Sequence, residues 1–276
     1  MNERDRLSED LKRVQARIHN WLDRFFPEFT EVFKDWEGKA ALVCLHNFPC
    51  PQDIQEKTAS EIVGMWRTNG ISRGVGMSRA NLLLEVAQQS IGLTEGLQMA
   101  RHELAILLSQ YDLCQEQLEL LMIEVERLVS QIPGTKQMLT IPGVGLVTVA
   151  GFIAEVGDLS SYDNPRQIQK LAGLTLKENS SGKHKGRTQI SKRGRPKLRA
   201  LLFRCAIPLL AKNTEFQELH RYYTQRAQNP LKAMQSVIAL CCRLIRVLFT
   251  LGQKKVPYDP AKVLGPVHIA RLQNAA

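Results

Sequence analysis

The sequence predicts an all-α protein in three parts: an N-terminal helical segment, a long coiled-coil helix and a compact C-terminal helical domain containing a helix-hairpin-helix. Apolar residues recur every three or four positions through 4–26 and again through 83–132, the period of a helix with one buried face. Beyond residue 134, apolar helical runs alternate with Asn-Pro and Gly-X-Pro signals, which start and stop helices. No strand-rich segment precedes these patterns.

Residues 1–76 read as a helical segment. Its first helix carries Leu7, Leu11, Val14, Ile18, Trp21 and Phe25 as a heptad seam and ends at Phe26-Pro27. Short helices follow over 27–70, one starting at Pro51 and carrying Ile54, Ile62, Val63 and Trp66. The run Asn69 to Gly76 (NGISRGVG) is a glycine-rich loop. Residues 77–133 form the coiled-coil helix. From Leu83 its seam runs through Val86, Ser90, Leu93 and Leu97 to Leu104, Tyr111, Leu118, Val125 and Ile132 without a slip. Such a helix spans roughly 75 Å and cannot bury its stripe alone. It pairs with another chain, as a homodimer or higher oligomer, or folds back on the first helix. Gln131-Ile132-Pro133-Gly134 stops it.

Residues 134–265 form the C-terminal domain, and 266–276 are a tail. Asn164-Pro165 caps a short helix that ends near Gly173. Gly194-Arg195-Pro196 starts another, with Leu198, Leu201, Leu202, Cys205, Leu209 and Leu210 on its buried face and a kink expected at Pro208. Asn229-Pro230 opens a helix that is apolar nearly all round, the expected centre of the core.

The composition, 44% hydrophobic and 23% charged, is that of a globular protein, and 276 residues allow one large or two modest domains. A formal charge of +10 favours a polyanionic partner. The excess is local: residues 177–199 hold nine Lys or Arg against one acid, Glu178. A solvated surface strip is the alternative reading of such a run. The six cysteines show no CxxC pair and no spacing shared with His, so no metal is expected on them, and they suit buried thiols in a reducing cytosol. A charged N-terminus and the absence of an unbroken apolar run of about 18 residues exclude a secretory or membrane class on this reading. The expected location is the cytoplasm, at the nucleoid of a prokaryote.

Two segments carry chemistry. Ile141-Pro142-Gly143-Val144-Gly145 turns the chain between two helical patterns, and the next helix begins near Leu146. Its unpaired first amides and its dipole favour a phosphate, which makes Gly143, Val144 and Gly145 candidate backbone contacts. This is how a helix-hairpin-helix holds DNA by its backbone; a packing turn is the alternative. The second segment, Glu178 to Gln189, has no hydrophobic period and reads as a loop. Ser180 and Ser181 stand there before Gly182, with Lys183, Lys185 and Arg187 behind them and His184 as the neighbouring imidazole. A serine hydroxyl needs a base or local cations to become a nucleophile, and the cations would neutralise a phosphodiester. Ser191-Lys192-Arg193-Gly194, before a helix start, is a second phosphate candidate, with Arg195 and Lys197 adding charge.

The runs IPGVG, AEVGDLSSYDNPRQIQKLAGLTLKENSSG and GRTQISKRGRPKLRALLFR closely resemble the C-terminal domain of the IS one-ten insertion-sequence transposases. These are DEDD-type, RuvC-like transposases, also described as bridge-RNA-guided serine recombinases. The upstream stretch RIHNWLDRFFPEFTEVFKDWEGKAAL resembles their middle region, so the likeness covers about 12–265. It implies cutting and rejoining of DNA strands in transposition, with DNA as partner, a structured guide RNA in some members and a coiled coil for assembly. The nucleophile it implies is the serine directly before glycine, Ser181, with Ser180 as the fallback. It also implies an RNase-H-like half whose four acids hold Mg²⁺. The acids of 3–37 fall on the polar faces of helical patterns and read as solvated surface. The expectation is a transposase lacking most of its N-terminal acidic domain, with no cofactor held by this chain and Mg²⁺ only with the missing half. Two other function classes stay open: a non-catalytic helix-hairpin-helix DNA-binding protein, and a coiled-coil assembly protein.

Overall fold

A computed structural model describes residues 2–177, 180–181, 184–185 and 189–265, giving the backbone alone for 180–181 and 184–185. The chain divides into two compact units, 2–121 and 122–276. The described structure is helical, as the periodicity predicts, with four two-residue strands.

The first unit is built from α1 (Asn2–Phe25), α2 (Phe29–Val32), α3 (Lys39–Asn47), α4 (Pro51–Gln55), α5 (Ala59–Thr68), α6 (Met77–Gln88) and the start of α7 (Leu97–Gln131). Its core is aromatic. Trp21, Phe26, Phe29 and Trp66 are fully buried, and Phe33 meets Trp66 edge-on at 6.2 Å. Both buried indoles find acceptors: Trp21 Nε1 donates to the Ala100 carbonyl and Trp66 Nε1 to that of Ala40, each at 3.0 Å. Thr58 and Glu61 form a reciprocal capping box at the start of α5, and Asp53 takes both Arg101 and the Cys50 amide.

The uninterrupted helix expected over 77–133 is two helices, α6 and α7, separated by residues 89–96. The connection is seated on the end of α1. The Leu93 amide donates to the Arg24 carbonyl, and Glu28 accepts from the Ile91 amide and the Ser90 hydroxyl. Gly92 lies so close to the Phe25 carbonyl that a Cβ would overlap it. The seam splits accordingly. Ala100, Leu104, Leu107 and Tyr111 are buried in this unit's own core, whereas Leu93 and Leu128 are exposed. A three-four spacing passes through glycine unchanged, so counting apolar positions alone misses the break at Gly92 and Gly96.

The second unit holds the end of α7, then α8 (Thr135–Met138), α9 (Leu146–Val156), a 3-10 turn (Leu159–Ser161), α10 (Pro165–Leu171), α11 (Pro196–Lys212), α12 (Thr214–Gln225), α13 (Ala233–Lys254) and α14 (Pro260–Leu264). Four short strands, β1 (Leu176–Lys177), β2 (Ser180–Ser181), β3 (His184–Lys185) and β4 (Gln189–Ile190), lie between α10 and α11. The central helix is α13, packed by α8, α10, α11 and α12, with Val237, Leu240, Cys241, Leu244, Ile245 and Leu248 in the core. By length and composition α13 is apolar enough to cross a membrane despite Arg243 and Arg246. Here its neighbours bury it. Arg243 is accommodated by turning its guanidinium to the Lys262 and Val263 carbonyls at the end of α14. Asn164 caps α10, with Gln167 completing the box, and α11 runs through Pro208 as one helix. The proposed tail, 266–276, lies outside the described residues.

Candidate nucleic-acid interface

The division of charge follows the division of the fold. Residues 2–121 hold 13 Lys or Arg against 18 Asp or Glu, and residues 122–276 hold 24 against 9. The whole positive excess therefore belongs to the second unit, and the first is acidic. A polyanion is attracted to one of them and repelled by the other.

Within the basic unit the glycine turn is partly built into the core. Ile141 and Val144 are buried, while Pro142 and Gly145 are exposed. Gly143 has φ +91° and packs on α11, where a Cβ would meet Leu209 at 3.2 Å. Gly145 is the N-cap of α9 and contributes no side-chain cap, so the first amides of α9 open beside an exposed glycine. Of the three turn residues, Gly145 offers exposed backbone, Gly143 is half-buried and Val144 serves the core. The turn is held from beneath: Asn213 Nδ2 donates to the Pro142 carbonyl and Tyr258 N to Thr140 Oγ1.

The serine segment is a paired ribbon and not the open loop that its lack of period suggests. Leu176 pairs with Ile190 and Lys177 with Gln189; further out, Ser180 pairs with Lys185 and Ser181 with His184. Ser180 and Ser181 thus sit on the outer ladder. Lys183 and Arg187 lie outside the described residues. The ladders are too short and too polar to show an apolar alternation, which is why the sequence hides them.

The base of the ribbon is tied tightly. The Ser191 amide donates to Thr175, the Lys192 amide to Gly173 and the Arg195 amide to Leu171, at 2.7, 3.0 and 2.7 Å. Lys192 takes a left-handed conformation, φ 54°, uncommon for a residue with a side chain. A Cβ on Gly194 would come within 2.8 Å of the Gly173 amide, so only glycine lets these two segments touch. Lys192, Arg193, Arg195 and Lys197 are all exposed around this base. Arg195 also donates to the Glu155 carbonyl and lies 3.8 Å from its carboxylate.

The turn and the ribbon are not at one spot. Helices α9 and α11 run antiparallel: Gly143 meets Leu209, Gly151 meets Leu201 and Glu155 meets Arg195. The turn therefore lies at one end of the pair and the ribbon base at the other, about 15 Å apart along α9. At roughly 3.4 Å per phosphate along a strand, that separation equals about four nucleotides. Two further residues shape the site without having stood out in the sequence. Asn213 is signalled by its place three residues before Phe216, as an N-cap. Arg199 reads as one more cation in a basic run and shows its role only through contacts.

Three of the buried thiols are held as weak nucleophiles. Burial pushes Cys241 and Cys44 up to about 12, and Cys50 to about 11.

Residues 135–223, from the start of α8 into α12, match the family model described as the transposase IS116/IS110/IS902 family. Over this segment the chain is similar to that family. The matched span contains the turn, the ribbon and its base. The chain is 30% identical over 161 residues to the transposase for insertion sequence element IS1111A of Coxiella burnetii, covering 57% of this chain and 43% of that protein. It is 24% identical over 261 residues to the insertion element IS900 uncharacterized 42 kDa protein of Mycobacterium paratuberculosis, covering 94% and 62%. It is 25% identical over 124 residues to the pilin gene-inverting protein of Moraxella bovis, covering 44% and 38%. The chain thus spans less than two thirds of the length of each of these relatives.

Proposed function

We propose that this chain acts in DNA transposition, gripping DNA by its backbone through residues 122–265 and supplying Ser181 as the nucleophile for strand cleavage and rejoining. Ser180 is the fallback. The observation that carries this is the coincidence of three things in one unit: the family match, the whole positive excess and a ribbon with both serines on its outer ladder.

In the proposed step the Ser181 hydroxyl loses its proton as Oγ bonds to phosphorus. The bond from phosphorus to one bridging deoxyribose oxygen breaks, and that oxygen leaves as a hydroxyl. Rejoining is the reverse attack by a strand-end hydroxyl on the phosphoserine ester, which conserves the phosphodiester energy without a cofactor. Lys183, Lys185 and Arg187 offset charge on the non-bridging oxygens, and Lys192, Arg193, Arg195 and Lys197 hold the flanking phosphates. The amides at Gly143 to Gly145 take a phosphate at the far end of the α9–α11 pair as a helix-hairpin-helix does. The description of the Moraxella relative as gene-inverting fits a reaction that rejoins what it cuts.

Mg²⁺ belongs to the family's acidic half. Among the described residues no three carboxylate, imidazole or thiol groups converge to hold an ion, and no step above runs through a metal. A structured guide RNA would compete for the same basic unit, being a polyanion too.

The test is a denaturing gel of the full chain incubated with DNA carrying an element end. A serine–DNA adduct that disappears in Ser181→Ala supports the reading, and an adduct that persists in Ser181→Ala but vanishes in Ser180→Ala moves the nucleophile by one residue. Salt-sensitive binding with no adduct leaves a non-catalytic DNA-binding protein.

Assembly through α7 is a second proposal with its own observation. Met99, Ile106, Leu113 and Leu120 repeat every seven residues and are all at least half exposed. They form a stripe different from the predicted seam, which its own unit partly consumes, and they offer a face for a homodimer.

A further inference from the structure

We infer that Arg199 is the positioning residue that sets the base of the serine ribbon. It stands in the first turn of α11, and one nitrogen of its guanidinium serves both sides of that base. Nη1 donates to the Ala172 carbonyl at 2.9 Å, where the chain enters the ribbon, and to the Lys192 carbonyl at 3.3 Å, where it leaves. Gly173 makes room for this. A Cβ there would lie 2.9 Å from the same Nη1 and 2.9 Å from the Arg193 carbonyl oxygen.

The second carbonyl identifies what the contact is for. Lys192 holds a left-handed backbone, which a residue with a side chain adopts only when its surroundings enforce it. The enforcing contacts are its own amide on the Gly173 carbonyl and Arg199 on its carbonyl oxygen. That turn sends the chain from β4 into Gly194 and α11, so its conformation fixes the direction in which the ribbon leaves the core. Leu174 and Leu198, both buried, anchor the two sides in the hydrophobic cluster. Arginine suits the position because one planar terminal nitrogen presents two N–H groups at fixed angles; the lysine ammonium has the donors, but on a shorter stem and without that fixed planar geometry.

The geometry at the base stands by itself; that the ribbon carries the nucleophile rests on the proposed function. Arg199 touches carbonyls of the chain and not the reacting phosphate, so its effect should fall on alignment and not on grip.

The test compares the full-length protein with Arg199→Met and Arg199→Lys by residue-resolved hydrogen exchange, duplex affinity and serine–DNA adduct formation. The expected result for Arg199→Met is exchange faster by about tenfold at the Ser191, Lys192 and Arg195 amides, the loss of a charge-assisted hydrogen bond to carbonyl. Amides of α13 keep their protection, and duplex affinity stays within about twofold, the loss of one partly screened cation. Arg199→Lys recovers part of the protection, and the adduct falls by about tenfold or more in Arg199→Met. Unchanged exchange at the three amides, or equal acceleration throughout α11 and α13, would overturn the inference. If unaltered protein forms no adduct while the three amides respond as described, the assignment of Arg199 stands and the serine reading fails.

Discussion

Asn213 Nδ2 donates to the Pro142 carbonyl at 3.3 Å while Oδ1 of the same amide accepts from the Phe216 N–H at 3.0 Å. One buried side chain therefore both starts α12 and holds the glycine turn from beneath. Asn213→Ala loses both contacts, and a destabilisation of roughly 1–3 kcal/mol is expected in urea unfolding. Asn213→Ser keeps an N-cap oxygen and should recover most of that stability without recovering the tie to Pro142. If the turn grips DNA, both variants bind a duplex more weakly; equal affinity in all three proteins would remove the turn from the interface.

Gly92→Ala places a methyl group against the Phe25 carbonyl, which is backbone and cannot swing aside. The connection between α6 and α7 then lifts from α1, at a cost of about 1–3 kcal/mol by the usual scale of overpacking. Circular dichroism melts of the full chain should show it; a melt unchanged within error would mean the connection is not seated as described.

Glu28 gives this same connection a pH dependence. Burial disfavours its charged form, but the Ile91 amide and the Ser90 hydroxyl outweigh that and hold its pKa below the ordinary 4.5. A carboxyl depressed on folding contributes stability that is present above its unfolded pKa and lost as pH falls through the folded value. The urea midpoint difference between the protein and Glu28→Gln should therefore be largest near about pH 6 and shrink towards about pH 3. A difference that does not change with pH would mean the carboxylate's charge plays no part.

The stripe on α7 is tested by Leu113→Lys with Leu120→Lys, at positions 53% and 60% exposed. A face that is only solvated tolerates both changes. A dimer seam does not, and sedimentation equilibrium should then show the double variant as a monomer where the unaltered chain is a dimer. A monomer in both cases would dismiss assembly through this face.

The legible parts of this protein are those written in periodicity and caps. The α1 seam from Val14 to Phe25, the Asn164-Pro165 start of α10 and the apolar α13 can all be read directly, because each is a local pattern. What escaped depends on contacts distant in sequence. Gly92 breaks a helix only because Phe25 lies under it, and a charge run cannot say that Arg199 spends its guanidinium on two carbonyls. The serine ribbon pairs polar residues through backbone alone, which leaves no trace in hydropathy. The distance between glycine turn and ribbon comes from the antiparallel course of α9 and α11, which no single-segment pattern encodes.

Nucleic-acid binding by the basic unit is decided by the salt dependence of duplex affinity, measured on the full chain and on Lys192→Gln, Arg193→Gln, Lys197→Gln combined. Affinity should fall linearly on logarithmic axes with a slope of about −0.9 per phosphate neutralised, and the triple variant should flatten that slope by about 2 to 3. Affinity that ignores salt, or a slope identical in the triple variant, would contradict a phosphate-binding surface at the ribbon base.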